Sequence, residues 1–381
     1  MAILRLALAF AGFISIGLPD ALLGVAWPYA RTTFNQSLDA GGLLVLGATV
    51  GYSVSALCAG RLLHWVGLGG LLVISALMTA VGIGIYLVAP NFTLLWAVVT
   101  LAAVGGGAID VGLNSYAMEY HSPAVMQWLH ASFGVGVTVG PALMVMAIAS
   151  PEGWPLGYRW VTAGLLALAL VFALSIRIWP AVNTGQGETA PDSIPQALRE
   201  PKIWGVLGMF SLYVGLEVAV GVWSFSVMTH REVSAVTAGL WVSCYWGAFT
   251  VSRIIAGSLG DRLSHWQWLR ISIGLAIVGA LLWSWGQGAL AAVPVALMGL
   301  AMGPMYPAMM SGTQQRVGRR LQAAAVPLQV GPPVLAAGVI AWAFGSIGEA
   351  YGLDWIPVMA LGVLMLMAWI ERRLYRASQA L

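Results

Sequence analysis

The feature that most constrains this chain is a succession of long apolar stretches, separated by short polar ones, that runs through almost all of its 381 residues. Each stretch has about the 20 apolar residues that a helix needs to cross a bilayer. The chain is 60% hydrophobic and only 8% charged, whereas a soluble globular protein has about 25% charged residues. The pattern predicts an all-α membrane protein. Twelve transmembrane helices are expected, at residues 4–29, 41–63, 67–88, 92–117, 125–149, 156–179, 203–228, 236–259, 268–285, 289–312, 321–344 and 355–370.

The first apolar stretch is compatible with two interpretations. A signal peptide would end near Leu23, but the apolar run continues past Asp20 to Tyr29, and no clean small-residue cleavage site follows. We therefore expect an uncleaved first span. Cys58 and Cys244 both lie within predicted spans, where cysteines behave as small hydrophobic residues. They predict neither a disulfide nor a metal site.

A polar segment at residues 181–202 divides the predicted spans into two groups of six. Its Gly, Pro and charged residues predict a linker between an N-terminal half, 1–180, and a C-terminal half, 203–381. The two halves also match in sequence at one constant offset. Asp20 and Glu217 are 197 positions apart, and the same offset relates Gly42 to Gly239, Ala59 to Ala256, and Ile74 to Ile271. A constant offset through three spans predicts two structurally related halves.

The Lys and Arg residues predict the orientation. If the amino terminus is cytoplasmic, 14 of the 17 lie in segments on that side, and only Arg31, Arg159 and Arg231 lie outside. An excess of Lys and Arg marks the cytoplasmic side of a membrane protein. Both termini and the linker are therefore expected in the cytoplasm, with the protein in a bacterial inner membrane.

Four ionisable residues lie well inside predicted spans: Asp20, Asp110, His130 and Glu217. A charge at the bilayer centre costs about 2.5–3.5 kcal/mol on insertion scales, so such residues normally face a protein interior or a water-filled path. Asn114 follows Asp110 by one turn and shares its helix face. The alternative is a structural role, in which these groups only lock neighbouring helices together.

Burial disfavours the charged form of a carboxyl group, so Asp20, Asp110 and Glu217 are the predicted proton-coupling residues. Carboxylates and amides can bind sugar hydroxyls, and aromatic rings can stack on the C–H face of a sugar. The predicted substrate-binding residues are Trp27, Asp110, Asn114, Gln127, His130, Glu217, Trp223, Trp246, Tyr306 and Gln329. Each aromatic residue taken singly fits packing as well. Arg253, near the inner end of its span, is expected to extend its charge to the membrane surface and to be structural.

The sequence Gly257-Ser258-Leu259-Gly260-Asp261-Arg262 resembles the Gly-x-x-x-Asp-Arg loop signature of the major facilitator superfamily. In that family the loop is a charge latch between helices in one conformational state. The resemblance assigns this role to Gly257, Asp261 and Arg262. The first half carries His64 at the Asp position, which argues against an equivalent latch there.

Longer matches, at residues 105–114, 128–136 and 213–223, resemble the fucose–galactose–glucose:proton symporter branch of that superfamily. The resemblance covers most of the chain. It implies two pseudo-symmetric six-helix halves with a substrate site between them. It also implies roles in proton handling and sugar binding for the first-span and fourth-span acids, Asp20 and Asp110. Fucose permease has Glu where Asp110 stands, so the reach is shorter here, and no particular sugar is implied.

The predicted function is secondary active transport of a small polar solute, a sugar, by alternating access coupled to protons, with sodium as the alternative ion. The expected partners are this solute, protons and the lipid bilayer. No cofactor, metal or nucleic acid is expected, and the chain is expected to be a monomer.

Three alternatives remain: another kind of transporter, an enzyme and a receptor. Gly136-x-x-x-Gly140-Pro141 resembles the start of the antiporter motif of drug exporters, although Leu143 and Met144 stand where further glycines are expected. Proton-coupled export of an amphipathic solute is therefore the competing function. The absence of an HExxH motif, a Ser/His/Asp cluster or metal-ligand spacing argues against an enzyme. A receptor on a transporter fold would bind a solute and move nothing.

Overall fold

The computed structural model describes residues 2–182, 193–259, 262–286 and 292–379. These residues fall into two compact units, with the boundary between residues 186 and 187. The first unit contains helices α1 (Ala2–Thr33), α2 (Ala40–Ile85), α3 (Phe92–Tyr120), α4 (Pro123–Ile148) and α5 (Trp154–Leu174), then a 3₁₀ turn, Ile176–Ile178. The second contains α6 (Ser193–Ala197), α7 (Pro201–His230), α8 (Ala235–Leu259), α9 (His265–Trp285), α10 (Val293–Met302), α11 (Met305–Ser311), α12 (Thr313–Val317), α13 (Arg319–Tyr351) and α14 (Trp355–Gln379).

Ten segments of the described chain are long and apolar enough to cross a membrane. They are α1 to α5, α7, α9, the α10–α11 pair, α13 and α14. The all-α membrane fold is thereby confirmed. The helix α2 includes the second and third predicted spans. Gly67, with φ 67° and ψ 172°, is not helical and divides α2 between them. The remaining predicted span is α8, which is not among the ten. The number of twelve membrane crossings stays a prediction.

The predicted tenth span is interrupted near its middle, which the apolar pattern did not indicate. Helix α10 ends at Met302 and α11 begins at Met305. Pro304 between them has no N–H to continue the helix. A side chain on Gly303 would overlap the Ser252 hydroxyl and the Phe249 carbonyl of α8, so the break lies in close contact with that helix. The start of this predicted span, 289–291, lies outside the described residues.

The packing of the helices repeats from one unit to the other. In the first unit α1 packs mainly on α4, and the two parts of α2 pack on α3 and α5. In the second unit α7 packs mainly on α13, α8 on α10, and α9 on α10 and α14. These are equivalent pairs under the sequence repeat. The 197-residue offset therefore corresponds to a repeated helical arrangement.

Glycines set the closest of these contacts. Side chains at Gly17 and Gly136 would overlap backbone atoms of α4 and α1 respectively, and Gly140 lies against the Leu18 carbonyl. Small residues let helix backbones approach closely in a membrane. The glycines of the half-matched exporter motif therefore have a packing role between α1 and α4.

Candidate functional site

The first unit gathers polar side chains from four helical segments around Asp110. We call Asp20, Tyr52, Asp110, Asn114 and His130 the first polar cluster. They come from α1, α2, α3 and α4, which are otherwise apolar. The sequence pattern predicted four of these five residues, and the fold brings them to one place.

The Asp110 carboxylate is held by two donors. The Tyr52 hydroxyl donates a short hydrogen bond to Oδ2, and the Asn114 amide nitrogen donates to Oδ1 at 2.9 Å. A hydrogen bond to a charged group contributes about 1.5–3 kcal/mol. Both hydrogen bonds stabilise the charged form of the carboxylate and oppose part of the cost of placing it in an apolar span.

Asp20 and His130 complete the cluster from α1 and α4. Each is close enough to Asp110 to interact with it electrostatically. The His130 ring also meets Phe13 edge-on, with ring centroids 5.5 Å apart. The Asp20 and His130 side chains are exposed, while Asp110 and Asn114 are half-buried. Part of the cluster is thus accessible to a small molecule.

Gln127 lies one turn before His130 on α4, and its side chain is exposed. Its predicted role in substrate binding stays a prediction.

The second unit contains a polar group around Glu217, built by α7 and α8. We call Tyr213, Glu217, Tyr245 and Arg253 the second polar cluster. The Tyr245 hydroxyl donates to the Glu217 backbone carbonyl at 3.0 Å, and the Tyr213 hydroxyl lies within hydrogen-bonding reach of the Glu217 carboxyl group. The Arg253 charge attracts that carboxylate. Glu217 therefore has a set of partners within its own unit.

The Arg253 side chain does not extend toward the near end of α8, but its contacts agree with the expected structural role. Its guanidinium lies over the Phe249 ring, 4.4 Å from the centroid, one turn back toward the middle of α8. Its Nε donates to the Gly303 carbonyl at 3.3 Å, at the break between α10 and α11. Cations bind favourably at the free carbonyls of a helix C-terminus. Arg253 thus joins α8 to the break after α10, close enough to Glu217 to interact with it electrostatically.

Two of the aromatic residues predicted to stack on a substrate, Trp27 and Trp223, are not placed to do so. The Trp27 ring is 1% exposed and its indole N–H donates to the Leu38 carbonyl at 2.7 Å. Trp223 is also 1% exposed and donates to the Ala341 carbonyl at 2.8 Å. Neither ring has an accessible face for a ligand in this structure. Both are packing residues of their own units, which is the role that single aromatic residues most often have.

Trp246 and Tyr306 are placed differently. Trp246 packs on Gly221 of α7 and lies between Tyr245 and Phe249, and its buried indole nitrogen has no hydrogen-bond partner among the described residues. Tyr306 is half-buried, and its ring meets Phe210 edge-on at 5.3 Å. Trp246 lines the second polar cluster, and Tyr306 contacts it through Tyr213, with ring centroids 6.1 Å apart.

Gln329 lies in α13 and is buried, with 1% of its surface exposed. Its Oε1 accepts a hydrogen bond from the Thr313 hydroxyl at 2.9 Å, and its Nε2 has no partner among the described residues. The oxygen therefore has a structural role in joining α12 to α13. A part in substrate binding would fall to the amide nitrogen and stays a prediction.

The predicted latch is only partly within the described chain. Gly257 and Arg262 are exposed near the end of α8, and Asp261 lies outside the described residues. The latch role of these three residues stays a prediction.

Sequence reasoning missed Tyr52, the donor to Asp110. The only signal was a tyrosine between Gly51 and Ser53 in an apolar span, which is as typical of packing. The link between Asp110 and Tyr52 depends on how α2 and α3 pack. There, a side chain on Gly51 or Gly107 would overlap or press on the facing helix.

Comparisons with known proteins agree with this architecture. Three sodium-dependent glucose transporters are similar in sequence. Transporter 1A of Mus musculus is 21% identical over 285 residues, 65% of this chain and 67% of the relative. Transporter 1 of Homo sapiens is 26% identical over 285 residues, 65% of this chain and 54% of the relative. Transporter 1 of Xenopus laevis is 26% identical over 357 residues, which are 82% of this chain and 72% of the relative.

Solved transporter structures share the fold. The E. coli fucose:proton symporter covers 97% of this chain and 98% of its own, with 17% identity and a TM-score of 0.61. The superposition on a bacterial homologue of the human lysosomal transporter Spinster covers 99% of this chain and 97% of the homologue, with 14% identity and a TM-score of 0.78. The superposition on a D-xylose–proton symporter covers 95% of this chain and 96% of the symporter, with 15% identity and a TM-score of 0.73. At these identities the likeness shows the fold alone.

The family model described as Major Facilitator Superfamily matches residues 8–329, which is most of the chain. The glucose transporter relatives and the fucose:proton symporter structure agree with the expected resemblance to a sugar-transporting branch. The expectation that the chain is a transporter and not an enzyme is also confirmed. This multi-pass membrane protein therefore belongs to the Major Facilitator Superfamily.

Proposed function

We propose that this protein is a secondary active transporter that moves a sugar by alternating access, coupled to protons at the first polar cluster. The observation that carries the proposal is the Asp110 carboxylate, held by Tyr52 and Asn114 within apolar helices and close to Asp20 and His130. The relatives support the substrate class, since their names describe glucose, fucose and xylose transport.

The proton step follows from the two acids of the cluster. Asp20 and Asp110 repel each other when both are charged. A proton bound by either removes that repulsion and lowers the charge that the protein carries into an apolar environment. A neutralised cluster is the form that can reorient across the bilayer. Proton binding and release then drive the transport cycle.

The sugar step uses the donors and acceptors beside these acids. Asp110, Asn114 and His130 offer carboxylate, amide and imidazole groups to sugar hydroxyls, and Gln127 adds a second amide from an exposed position. Hydroxyl-rich ligands are discriminated strongly when a site hydrogen-bonds them, because an unmatched ligand leaves buried polar groups unpaired. The cluster fits a neutral polar solute better than a purely apolar one.

Transport by purified protein in proteoliposomes tests the proposal. With a pH gradient, acidic outside, wild-type protein should accumulate a labelled sugar from a panel of D-glucose, L-fucose, D-xylose and D-glucuronate. Asp110→Asn should abolish accumulation and spare exchange of sugar across the membrane. Asp39→Asn, the same change at an acid outside both clusters, is the matched control and should behave as wild type.

Two results would overturn the proposal. If Asp20→Asn and Asp110→Asn both accumulate sugar as wild type does, protons do not act through this cluster. If accumulation then follows a sodium gradient, the coupling ion is sodium.

Export of an amphipathic solute is the second candidate, and the glycines Gly136 and Gly140 are its sequence signal. Both glycines lie in the close contact between α1 and α4, where packing alone requires them. The signal therefore does not favour export over sugar uptake. Proton-driven movement of a lipophilic amine, with no movement of any sugar in the panel, would establish export.

A further inference from the structure

Two facing stripes of side chains build the second polar cluster. On α7, Tyr213, Glu217 and Gly221 recur at one-turn intervals and therefore share a face. On α8, Trp246, Phe249 and Arg253 do the same. The Trp246 ring lies against Gly221, and the Tyr245 hydroxyl bonds the Glu217 carbonyl, so the two faces meet. The α7–α8 contact thus holds one acid and one arginine within a single unit.

Among the described residues, Arg253 uses only part of its hydrogen-bonding capacity. A guanidinium has five N–H donors, and one of them, at Nε, donates to the Gly303 carbonyl. Glu217 attracts Arg253, but the two are not among the direct ion pairs of the described residues. Room therefore remains on the guanidinium for another acceptor. Arginine suits this purpose because its planar fork matches a carboxylate.

A second donor in the same stripe also lacks a partner. The indole nitrogen of Trp246 is buried and bonds no group of the described chain. A buried donor left unpaired destabilises the folded protein. Trp246 is two turns from Arg253 on the same face of α8. An acceptor-rich ligand could satisfy both groups.

We propose that the second polar cluster binds the carboxylate of an acidic sugar, such as a uronate or aldonate, at Arg253 when a proton occupies Glu217. With Glu217 charged, the acid and the arginine neutralise each other. A proton on Glu217 leaves the Arg253 charge unmatched in a low-dielectric interior, and the substrate anion replaces the lost negative charge. One proton and one carboxylate therefore enter together, and the net charge of the cluster is unchanged.

The groups that act on Glu217 are consistent with this exchange. They are Arg253 and Tyr245 from α8, and Tyr213 from α7 itself. Tyr213 and Tyr245 are neutral near pH 7, since tyrosine has a reference pKa of about 10. Arg253 is thus the group whose charge balances Glu217. The inference rests on the proposed transport function, because it names the class of sugar that this transporter takes.

A structural role for Arg253 is the competing explanation, since its bond to Gly303 closes the break after α10. Arg316 supplies a matched control. It is 3% exposed, donates to the Met309 carbonyl at 2.5 Å and lies over the Trp266 ring at 4.7 Å. It therefore combines a carbonyl bond with an aromatic contact, as Arg253 does, without lying beside Glu217. Loss of stability is expected from either substitution, and loss of ligand selectivity only from Arg253.

Ligand-dependent thermal stability of the full-length protein in detergent tests the inference, with D-glucuronate, D-gluconate and D-glucose as probes at pH 5.5 and 7.5. A ligand that binds the folded state raises its melting temperature. Wild-type protein should respond to an acidic sugar, more strongly at pH 5.5. Arg253→Gln should weaken this binding by on the order of a hundredfold, as expected when one partner of a buried charge pair is removed. Arg316→Gln should keep it.

Glu217→Gln separates the proton from the carboxylate. The neutral amide mimics the protonated acid, so this variant should bind the acidic sugar equally well at both pH values. Binding that still strengthens at low pH would contradict the role of Glu217.

The remaining outcomes distinguish this inference from the proposed function. A response to D-glucose with none to either acidic sugar overturns the inference and leaves sugar transport standing. A response to lipophilic amines with none to any sugar overturns both. No response to either acidic sugar overturns the inference whatever else binds.

Discussion

At the scale of single residues, the chemistry depends on a few polar groups whose partners come from other helices. Asp110 was identifiable in the sequence because a carboxylate inside an apolar span is costly and rarely accidental. Asn114 was identifiable because it lies one turn away on the same helix. Tyr52 was not, because nothing along the chain indicates which residue of α2 faces Asp110.

Tyr52→Phe is therefore the substitution that tests the cluster most selectively. It removes the hydroxyl that donates to the Asp110 carboxylate and keeps the ring. That hydrogen bond stabilises the charged form, so its loss makes proton binding easier. The pH at which proton-driven sugar accumulation is half-maximal should rise, while the Asp110→Asn variant loses accumulation altogether.

A pH profile of initial transport rates in proteoliposomes makes this measurement. Tyr120→Phe is the control. Tyr120 is the last residue of α3, and its hydroxyl donates to the Ala181 carbonyl and not to Asp110. An unchanged profile in Tyr52→Phe would show that the hydroxyl does not support Asp110 during transport.

The sequence does not distinguish aromatic residues that pack within a unit from those that can contact a ligand. Trp27, Trp223 and Trp246 were indistinguishable as candidates, since each lies deep in a predicted span. Only the packing separates them. Two donate to backbone carbonyls in the cores of their units, and the third has an unpaired indole nitrogen beside Glu217.

At the scale of helices, apolar length predicted where the elements lie but not where they break. The break in α2 requires a left-handed conformation, which Gly67 adopts. The break after α10 requires Pro304 together with a contact to α8. Both are consequences of glycine or proline at one position, whereas the apolar pattern averages over a whole span.

Gly299 tests the contact between α8 and α10 that frames the second polar cluster. A methyl group on Gly299 would overlap the Tyr245 backbone carbonyl, so α10 would have to move away from α8. Gly299→Ala should lower the free energy of unfolding by about 1–3 kcal/mol, as overpacking usually does. Thermal denaturation in detergent measures it.

Gly274→Ala, in the middle of α9, is the control for helix propensity. Nothing lies within 4 Å of a side chain added there. Alanine favours helix over glycine by up to about 1 kcal/mol, so this variant should be as stable as wild type or slightly more stable. Equal destabilisation of the two variants would contradict the tight α8–α10 contact.

At the scale of the whole molecule, the repeat was the strongest prediction available from sequence. The offset of 197 residues relates the first three predicted spans of each half, and the two units pack their equivalent helices in the same way. The repeat does not predict chemistry, because equivalent positions have diverged. Asp20 belongs to a cluster with a second acid, whereas Glu217, its counterpart, faces an arginine.

The distribution of Lys and Arg predicts cytoplasmic termini. A green fluorescent protein fused after Leu381 should fluoresce in bacterial cells, and alkaline phosphatase at the same place should be inactive. Fusions after Asn35, between α1 and α2, should give the opposite pair of results. Active phosphatase at the carboxyl terminus would contradict the predicted cytoplasmic location of the termini.

The most direct test of proton-coupled sugar transport is the movement of protons itself. Proteoliposomes in a weakly buffered medium receive a sugar from the panel, and the external pH is recorded. Proton-coupled transport makes the medium more alkaline as protons enter with the sugar; Asp110→Asn should abolish this signal, and Asp39→Asn should keep it. Sugar uptake with no change of external pH, or an equal signal from Asp110→Asn, would contradict it.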